Sequence, residues 1–229
     1  MAAIKTADEI QKLKAAAKAG NTAFACISPL LVPGRTEREI ARLMEGFARE
    51  AATRSGGVWG GLSFPPIIAS GPNGASPHAE LTDRALEAGD FVTIDFGVLV
   101  DGYASDKTRT YGIGEVSDEQ RRIYGIVEKA QKAGLTAARA GLPCRELDAV
   151  CRTIIAEAGY GEYFVHTTGH GVGTEVHEDP RIGKESEEIL AAGMVVTIEP
   201  GIYIEGWGGV RIEDTAVILE SGCEVITGG

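Results

Sequence analysis

The sequence predicts a mixed α/β (α+β) fold of two similar halves, each running helix, helix, strands, joined near residue 115 into one domain. Two stretches of the 229-residue chain share one design: "EAGDFVTIDFG" (87–97) and "AAGMVVTIEPG" (191–201) each carry Gly, an apolar run, Thr-Ile, an acid, one residue and Gly. Each is preceded by two segments that read as helices. No low-complexity tract or flexible linker separates the halves, and the length suits one large domain or two small ones.

In chain order, Thr6-x-x-Glu9 is a capping box that opens a helix running to about Ser28. Pro33-Gly34 marks a turn. Thr36-x-x-Glu39 opens a second helix, with Ile40, Leu43, Met44 and Phe47 at helical spacing. The Gly-rich stretch Ser55–Ser63 breaks it. Strands are expected around 65–70, 91–99 and 103–111, with Asp101-Gly102 as a hairpin turn. Ser117-x-x-Gln120 opens a third helix that Gly141 ends, and Pro143 precedes a fourth ending near Gly159. A Gly- and His-rich loop spans about 160–177, followed by strands around 194–204, 209–219 and 222–226.

Composition narrows the function classes. Lys+Arg is 22 and Asp+Glu is 33, a formal charge of −11, which argues against nonspecific nucleic-acid binding. No apolar run reaches the ~18 residues of a membrane span, and no signal-peptide pattern opens the chain. Cys26, Cys144, Cys151 and Cys223 form no Cys-x-x-Cys pair, so a thiolate zinc site is not expected; Cys144 and Cys151, seven apart, fit one helix face. A reduced, cytoplasmic setting is the expectation.

The acids that end the two apolar runs, Asp95 and Glu199, stand at equivalent points of the repeat. An unpaired buried carboxylate is costly, so each needs exposure or a cation. Asp106 and Glu213 follow at comparable places in the two halves. Of the four histidines, His166, His170 and His177 fall within "VHTTGHGVGTEVHEDP" (165–180), and His78 lies in the first half. A strand-end Asp is more often a turn residue, a His beside Gly more often a loop donor, and Glu213-Asp214 an ordinary solvated pair. Their joint occurrence in a repeat that converges on one cleft favours a site. Carboxylate-rich sets with one or two imidazoles suit hard or borderline divalent cations, and bridging carboxylates allow two-metal chemistry.

Three stretches, "GHGVGTEVHEDP", "TIEPGIYIEGWGGVRIED" and "TIDFGVLVDGYASDKTRTY", resemble the signature blocks of the pita-bread metallopeptidases, which include methionine aminopeptidase, aminopeptidase P and prolidase. The likeness runs from about Ile4 to Ile226, and "SDKTRT", "ASPHAE" and "GGVRIED" resemble the proline-peptidase branch more than the methionine aminopeptidases. It implies a pita-bread fold, two pseudo-symmetric halves with a curved antiparallel sheet around a dinuclear site. By the same resemblance, Asp95 would bind one metal, His170 and Glu199 the other, and Asp106 and Glu213 would bridge. The two divalent ions would be Mn, Co, Zn or Fe(II). The implied reaction is hydrolysis of Xaa-Pro bonds by a hydroxide shared between the metals. Glu199 would also shuttle a proton, His177 would bond the substrate near the scissile bond, and His78 would assist on the leaving-group side. His166 and Arg211 would line the pocket or brace ligands. Arg181, four residues after His177, would grip a dipeptide's C-terminal carboxylate, although a plain exposed loop arginine is nearly as good a reading.

The resembled prolidases and aminopeptidases P carry a further N-terminal domain. Here the likeness starts almost at Met1, so one catalytic domain over residues 1–229 without that domain is expected, with a homodimer allowed. The expected substrate is a proline-containing dipeptide or short peptide. An aminopeptidase P is the nearest rival; methionine aminopeptidase, a creatinase-like amidinohydrolase and a non-catalytic binding module are more distant. A binding module has no reason to keep five converging acids and imidazoles, and a dipeptide-against-tripeptide assay separates the two peptidase readings.

Overall fold

The computed structural model describes residues 3–228. In the first half, helices α1 (Ala7–Ile27) and α2 (Glu37–Arg54) are followed by strands β1 (Trp59–Leu62), β2 (Ile67–Ser70), β3 (Phe91–Phe96), β4 (Val98–Val100), β5 (Tyr103–Ala104) and β6 (Lys107–Gly112). In the second half, helices α3 (Asp118–Ala137) and α4 (Cys144–Glu157) precede β7 (Gly169–Gly171), β8 (Glu178–Ile182), β9 (Val195–Ile198), β10 (Gly201–Ile204), β11 (Gly208–Arg211), β12 (Asp214–Ile218) and β13 (Cys223–Val225). All strand pairings are antiparallel.

The helix starts follow their local chemistry. At α1, α2 and α3 the N-cap hydroxyl accepts from the N3 amide while the N3 side chain accepts from the N-cap amide. α2 buries Ile40, Met44 and Ala48, four apart, against the small residues Ala16, Ala19 and Ala23 of α1 and against Ile94 and Phe96 of β3. α4 buries Cys144, Leu147, Cys151 and Ile155 in the corresponding core of the second half. Cys144 and Cys151 thus share one helix face as buried apolar residues.

The central strands of each half have the same construction. β3 lies between β2 and β6, and β9 lies between β12 and β7. A hairpin leaves each: β4–β5, turning at Asp101-Gly102 with both residues at positive φ, and β10–β11. The halves are sewn together where β6 meets the second half. Thr108 O accepts from the Glu213 amide at 3.1 Å, and the Arg109 guanidinium bonds Glu213 O and the Asp214 carboxylate.

Three sequence expectations are corrected. The Gly-rich 55–63 stretch contains β1, because Gly60 lets the strand lie against Leu99, where an added Cβ would come within 2.9 Å of the Leu99 Cβ. The His-rich loop contains β7 and leads into β8. Helix α3 stops at Ala137 rather than at Gly141, since Ala138 is extended and the amides of Ala140 and Gly141 bond Leu219 O and Leu190 O instead.

Helix α3 lies close over the second half at Gly134, where a Cβ would meet Cys151 Sγ at 2.7 Å and Ile198 Cγ2 at 2.8 Å. Cys151 is fixed by its own bond to Ala130 O. Gly134→Ala gains about 1 kcal/mol of helix propensity but overpacks the core by about 1–3 kcal/mol. A net loss on the order of 1 kcal/mol is expected in urea unfolding; a more stable variant would contradict this packing account.

Candidate metal centre

Period-two alternation places the site residues. In β9 and the residue after it, Thr197 and Glu199 share a face; so do Thr93 and Asp95 in β3, and Asp106, Thr108 and Thr110 along β6. These faces converge at the seam between the halves. Among the described residues, ligand atoms of Asp106, His170 and Glu213 all lie within 4.8 Å of one another. His170 Nε2 stands 3.2 Å from Glu199 Oε1 and 3.6 Å from Asp106 Oδ2. His170 Nδ1 faces the Gly171 carbonyl at 3.1 Å, so that nitrogen carries a proton, and Nε2 is aimed at the acids, where it donates to Glu199 and would give up its proton to a cation.

Asp95 stands to one side of this group. Its Oδ2 accepts from Arg211 at 2.7 Å. Arg211 is buried and also bonds Thr108 Oγ1 (3.2 Å), Tyr203 Oη (2.7 Å) and Pro77 O (3.4 Å). The chain of bonds continues: Tyr203 Oη lies 2.8 Å from His166 Nε2, and His166 Nδ1 lies 2.7 Å from Thr167 O. A carbonyl only accepts, so His166 is protonated at Nδ1 and Tyr203 donates to its Nε2. Burial lowers the His166 pKa, in keeping with a neutral ring. His166 and Arg211 therefore brace the site through Tyr203 and Asp95.

His177 and His78 are exposed. The His177 ring stands edge-on to His170 with centroids 4.4 Å apart. His78 lines a cavity of about 700 Å³ together with Pro72, Asn73 and Glu205, and lies in electrostatic range of His166 and His177. Arg181 is exposed on β8, directly opposite His170 in the β7–β8 register, so both project from one face of the sheet. Its charge helps lower the His177 pKa, behind burial and the neighbouring His170.

Several residues at the site were missed by sequence reasoning. Thr108 donates to Glu213 Oε2 at 2.7 Å, and Thr197 donates to Glu199 Oε1 at 3.0 Å while accepting from the His170 amide. The alternation rule, applied to threonines as well as acids, would have found both. Tyr203 carried no such mark. Asp148 of α4 accepts from Thr168 N and Oγ1 and pairs with Arg152, which donates to the carbonyls of Phe164 and His166. This holds the loop that carries His166 and His170.

The acids are not satisfied by protein alone. Asp95 Oδ1, Asp106 Oδ1 and Glu213 Oε1 are buried and lack a hydrogen-bond partner among the described residues. Burial, then repulsion from neighbouring acids, pushes the Asp106 and Glu213 carboxyls well above their ordinary values. Burial also raises Asp95 despite Arg211. For Glu199, burial is outweighed by the His170 hydrogen bond and nearby positive charge, which bring it to about 2. Orphaned carboxylate oxygens around one imidazole whose Nε2 is aimed at them fit hard or borderline divalent cations.

A family model described as metallopeptidase family M24 matches residues 11–220. The chain belongs to metallopeptidase family M24. An Xaa-Pro dipeptidase from Pyrococcus furiosus is 44% identical over 224 residues, covering 98% of this chain and 63% of that protein. The solved Xaa-Pro dipeptidase from Bacillus anthracis is similar with TM-score 0.95 and 47% identity, covering 99% of this chain and 62% of that one. The X-Pro aminopeptidase from Thermotoga maritima is similar with TM-score 0.93 and 42% identity, covering 99% and 62%. The chain thus spans less than two thirds of the length of these M24 relatives. Its antiparallel sheets and paired helices are the M24 pita-bread architecture.

The raised acids give this M24 site a pH signature. The ordinary values are 3.8 for Asp106 and 4.5 for Glu213. A group raised on folding contributes stability below its ordinary value and loses it as pH climbs through the raised one. The metal-free protein is expected to melt at falling temperature as pH rises above the ordinary carboxylate range, while the gain in Tm from saturating Mn²⁺ grows over the same range, because the cation displaces protons. Calorimetry across that range checks it; an Mn²⁺ shift that shrinks with rising pH would contradict the assignment.

Proposed function

We propose that the chain is the catalytic part of a peptidase that hydrolyses Xaa-Pro bonds, with dipeptides as its preferred substrates. The observation that carries this reading is the set of partnerless carboxylate oxygens around His170 in a chain of family M24. Asp95, Asp106, His170, Glu199 and Glu213 would hold two divalent cations, with Mn, Co, Zn and Fe(II) all suited to the donors. When bound, the cations supply a water acidic enough to ionise near neutral pH and a Lewis acid for the scissile carbonyl.

The chain's own groups would do the rest. Glu199, held by Thr197, takes the proton from the attacking water and returns it to the leaving nitrogen. His177, exposed beside His170, and His78, exposed on the cavity, would hydrogen-bond the substrate on either side of the scissile bond. Arg181, on the His170 face of β8, binds the terminal carboxylate through its planar fork. Arg211 and His166 hold Asp95 and Tyr203 in place. The resemblance to an X-Pro aminopeptidase structure supports a second reading, in which longer Xaa-Pro peptides lose their first residue.

After loading with Mn²⁺, elemental analysis is expected to find about two ions per chain, the number a two-metal site holds. A folded, loaded protein without bound metal would refute the centre. Glu199→Gln keeps an acceptor oxygen but cannot carry the proton, and kcat is expected to fall by about 10²–10⁴; a near-normal kcat with metal bound would remove Glu199 from the shuttle role. Arg181→Ala is expected to raise KM for Xaa-Pro dipeptides, costing about 1.5–3 kcal/mol, roughly ten- to a hundredfold in kcat/KM, while tripeptide cleavage changes little. If tripeptides are preferred and Arg181→Ala changes nothing, the aminopeptidase reading replaces the dipeptidase one.

A further inference from the structure

His177 stands at the mouth of the site with little of its own to hold it. Among the described residues its ring takes no hydrogen bond, and its described ring contact is the edge-on approach to His170. Its position is therefore set by the backbone of 173–178. That segment is organised around the next side chain, Glu178. Glu178 Oε1 accepts from the Glu175 amide at 3.2 Å and from Thr174 Oγ1 at 3.5 Å. Gly173 passes so close that an added Cβ would sit 2.2 Å from Glu178 Oε1, so the loop is wound tightly round this carboxylate. Gly173 is itself anchored, through Gly173 O accepting from the Ala104 amide at 2.8 Å.

The other Glu178 oxygen is bound from far along the chain. Lys5 Nζ lies 2.7 Å from Oε2, with the two side chains 1% and 7% exposed. Lys5 lies ahead of α1, where Ile4 bridges Met194 and the Lys5 amide donates to Gly193 O at 2.8 Å. The segment before α1 is thereby fixed to the chain entering β9, the strand that leads to Glu199. Breaking a buried ion pair leaves a charge with nothing to compensate it, so removing Lys5 would drive the Glu178 carboxylate toward water and unwind the loop.

We infer that Lys5 and Glu178 are a positioning pair for His177, by which the segment before α1 sets the geometry at the mouth of the site. The kinetic part rests on the reading of His177 as a substrate contact; the structural part does not.

The test uses the Mn²⁺-loaded protein and the variants Lys5→Met, Lys5→Arg, Glu178→Gln, His177→Ala and the double variant Lys5→Met with His177→Ala. Hydrogen–deuterium exchange is expected to rise in residues 173–178 of Lys5→Met and Glu178→Gln, with metal content unchanged. On an Xaa-Pro dipeptide kcat should fall by about tenfold with KM within about twofold, since misplacing a catalytic-site group by an ångström costs that much or more. Lys5→Arg should restore kcat. In the His177→Ala background Lys5→Met should cost nothing further, because both changes act through one group. Unchanged exchange at 173–178 in the folded variants, or additive kcat losses, would overturn the inference. Should Lys5→Met not fold, Glu178→Gln decides with the same readouts. If the loaded protein cleaves no Xaa-Pro peptide, the functional reading fails while the exchange experiment still decides whether the pair holds the loop.

Discussion

Four carboxylates, Asp95, Asp106, Glu199 and Glu213, meet in a seam that water scarcely reaches. Two unit charges 4 Å apart interact by about 4 kcal/mol at the effective dielectric of such a site. That is a large share of the ~5–15 kcal/mol by which a domain is stable. The chain answers with positive and donating groups only up to a point. Arg211 covers one oxygen of Asp95, Thr108 one of Glu213, and His170 faces Glu199 and Asp106. Three oxygens, Asp95 Oδ1, Asp106 Oδ1 and Glu213 Oε1, are left over among the described residues. The arrangement costs stability unless a cation completes it, and such a cost at one spot marks a functional place.

The seam explains why the fold is a repeat. Each half contributes a central strand ending near an acid, and acids of each half draw a partner from the other. Asp95 of the first half is held by Arg211 of the second, and Glu213 of the second by Thr108 of the first. Arg109 of β6 reaches across to Asp214, which also accepts from Gln131 and Thr227. Adjacent residues of one strand end, Glu213 and Asp214, thus serve opposite purposes: one oxygen of Glu213 is left for the site, while Asp214 is saturated by structural bonds.

Much of the fold could be read from local chemistry. The capping boxes at Thr6, Thr36 and Ser117 placed three helix starts, and the Asp101-Gly102 turn placed a hairpin, because each is decided within a few residues. What depended on distant partners was not legible. Strand β1 exists because Leu99 is there to pair with it, and α3 ends early because Leu190 and Leu219 claim the amides that follow. At the site, the acids could be picked out because charge in an apolar run is anomalous. Thr197 and Thr108 were open to reading only through their place on the acids' strand face, and Tyr203 not at all, since threonine and tyrosine in a strand are what β propensity alone would place there.

The residues hardest to read are those that act at one remove. Asp148 and Arg152, four apart on α4, have the look of an exposed i,i+4 helix pair worth a few tenths of a kcal/mol. In the fold they are buried together and hold the backbone of 164–168 by donor and acceptor bonds. Glu37 does the same in the first half, where its buried carboxylate accepts from Ser70, Asn73 and Thr82 and so fixes the loop leading to His78. In both halves a helix offers an inward acid to a loop rather than to the centre. Asp95 lies within a strand and the other three acids lie within two residues of one, whereas the loops bearing His78 and His166 lie outside the strands and need such braces. The strands set where the charges sit, and two helices, through single buried carboxylates, set the loops of His78 and His166.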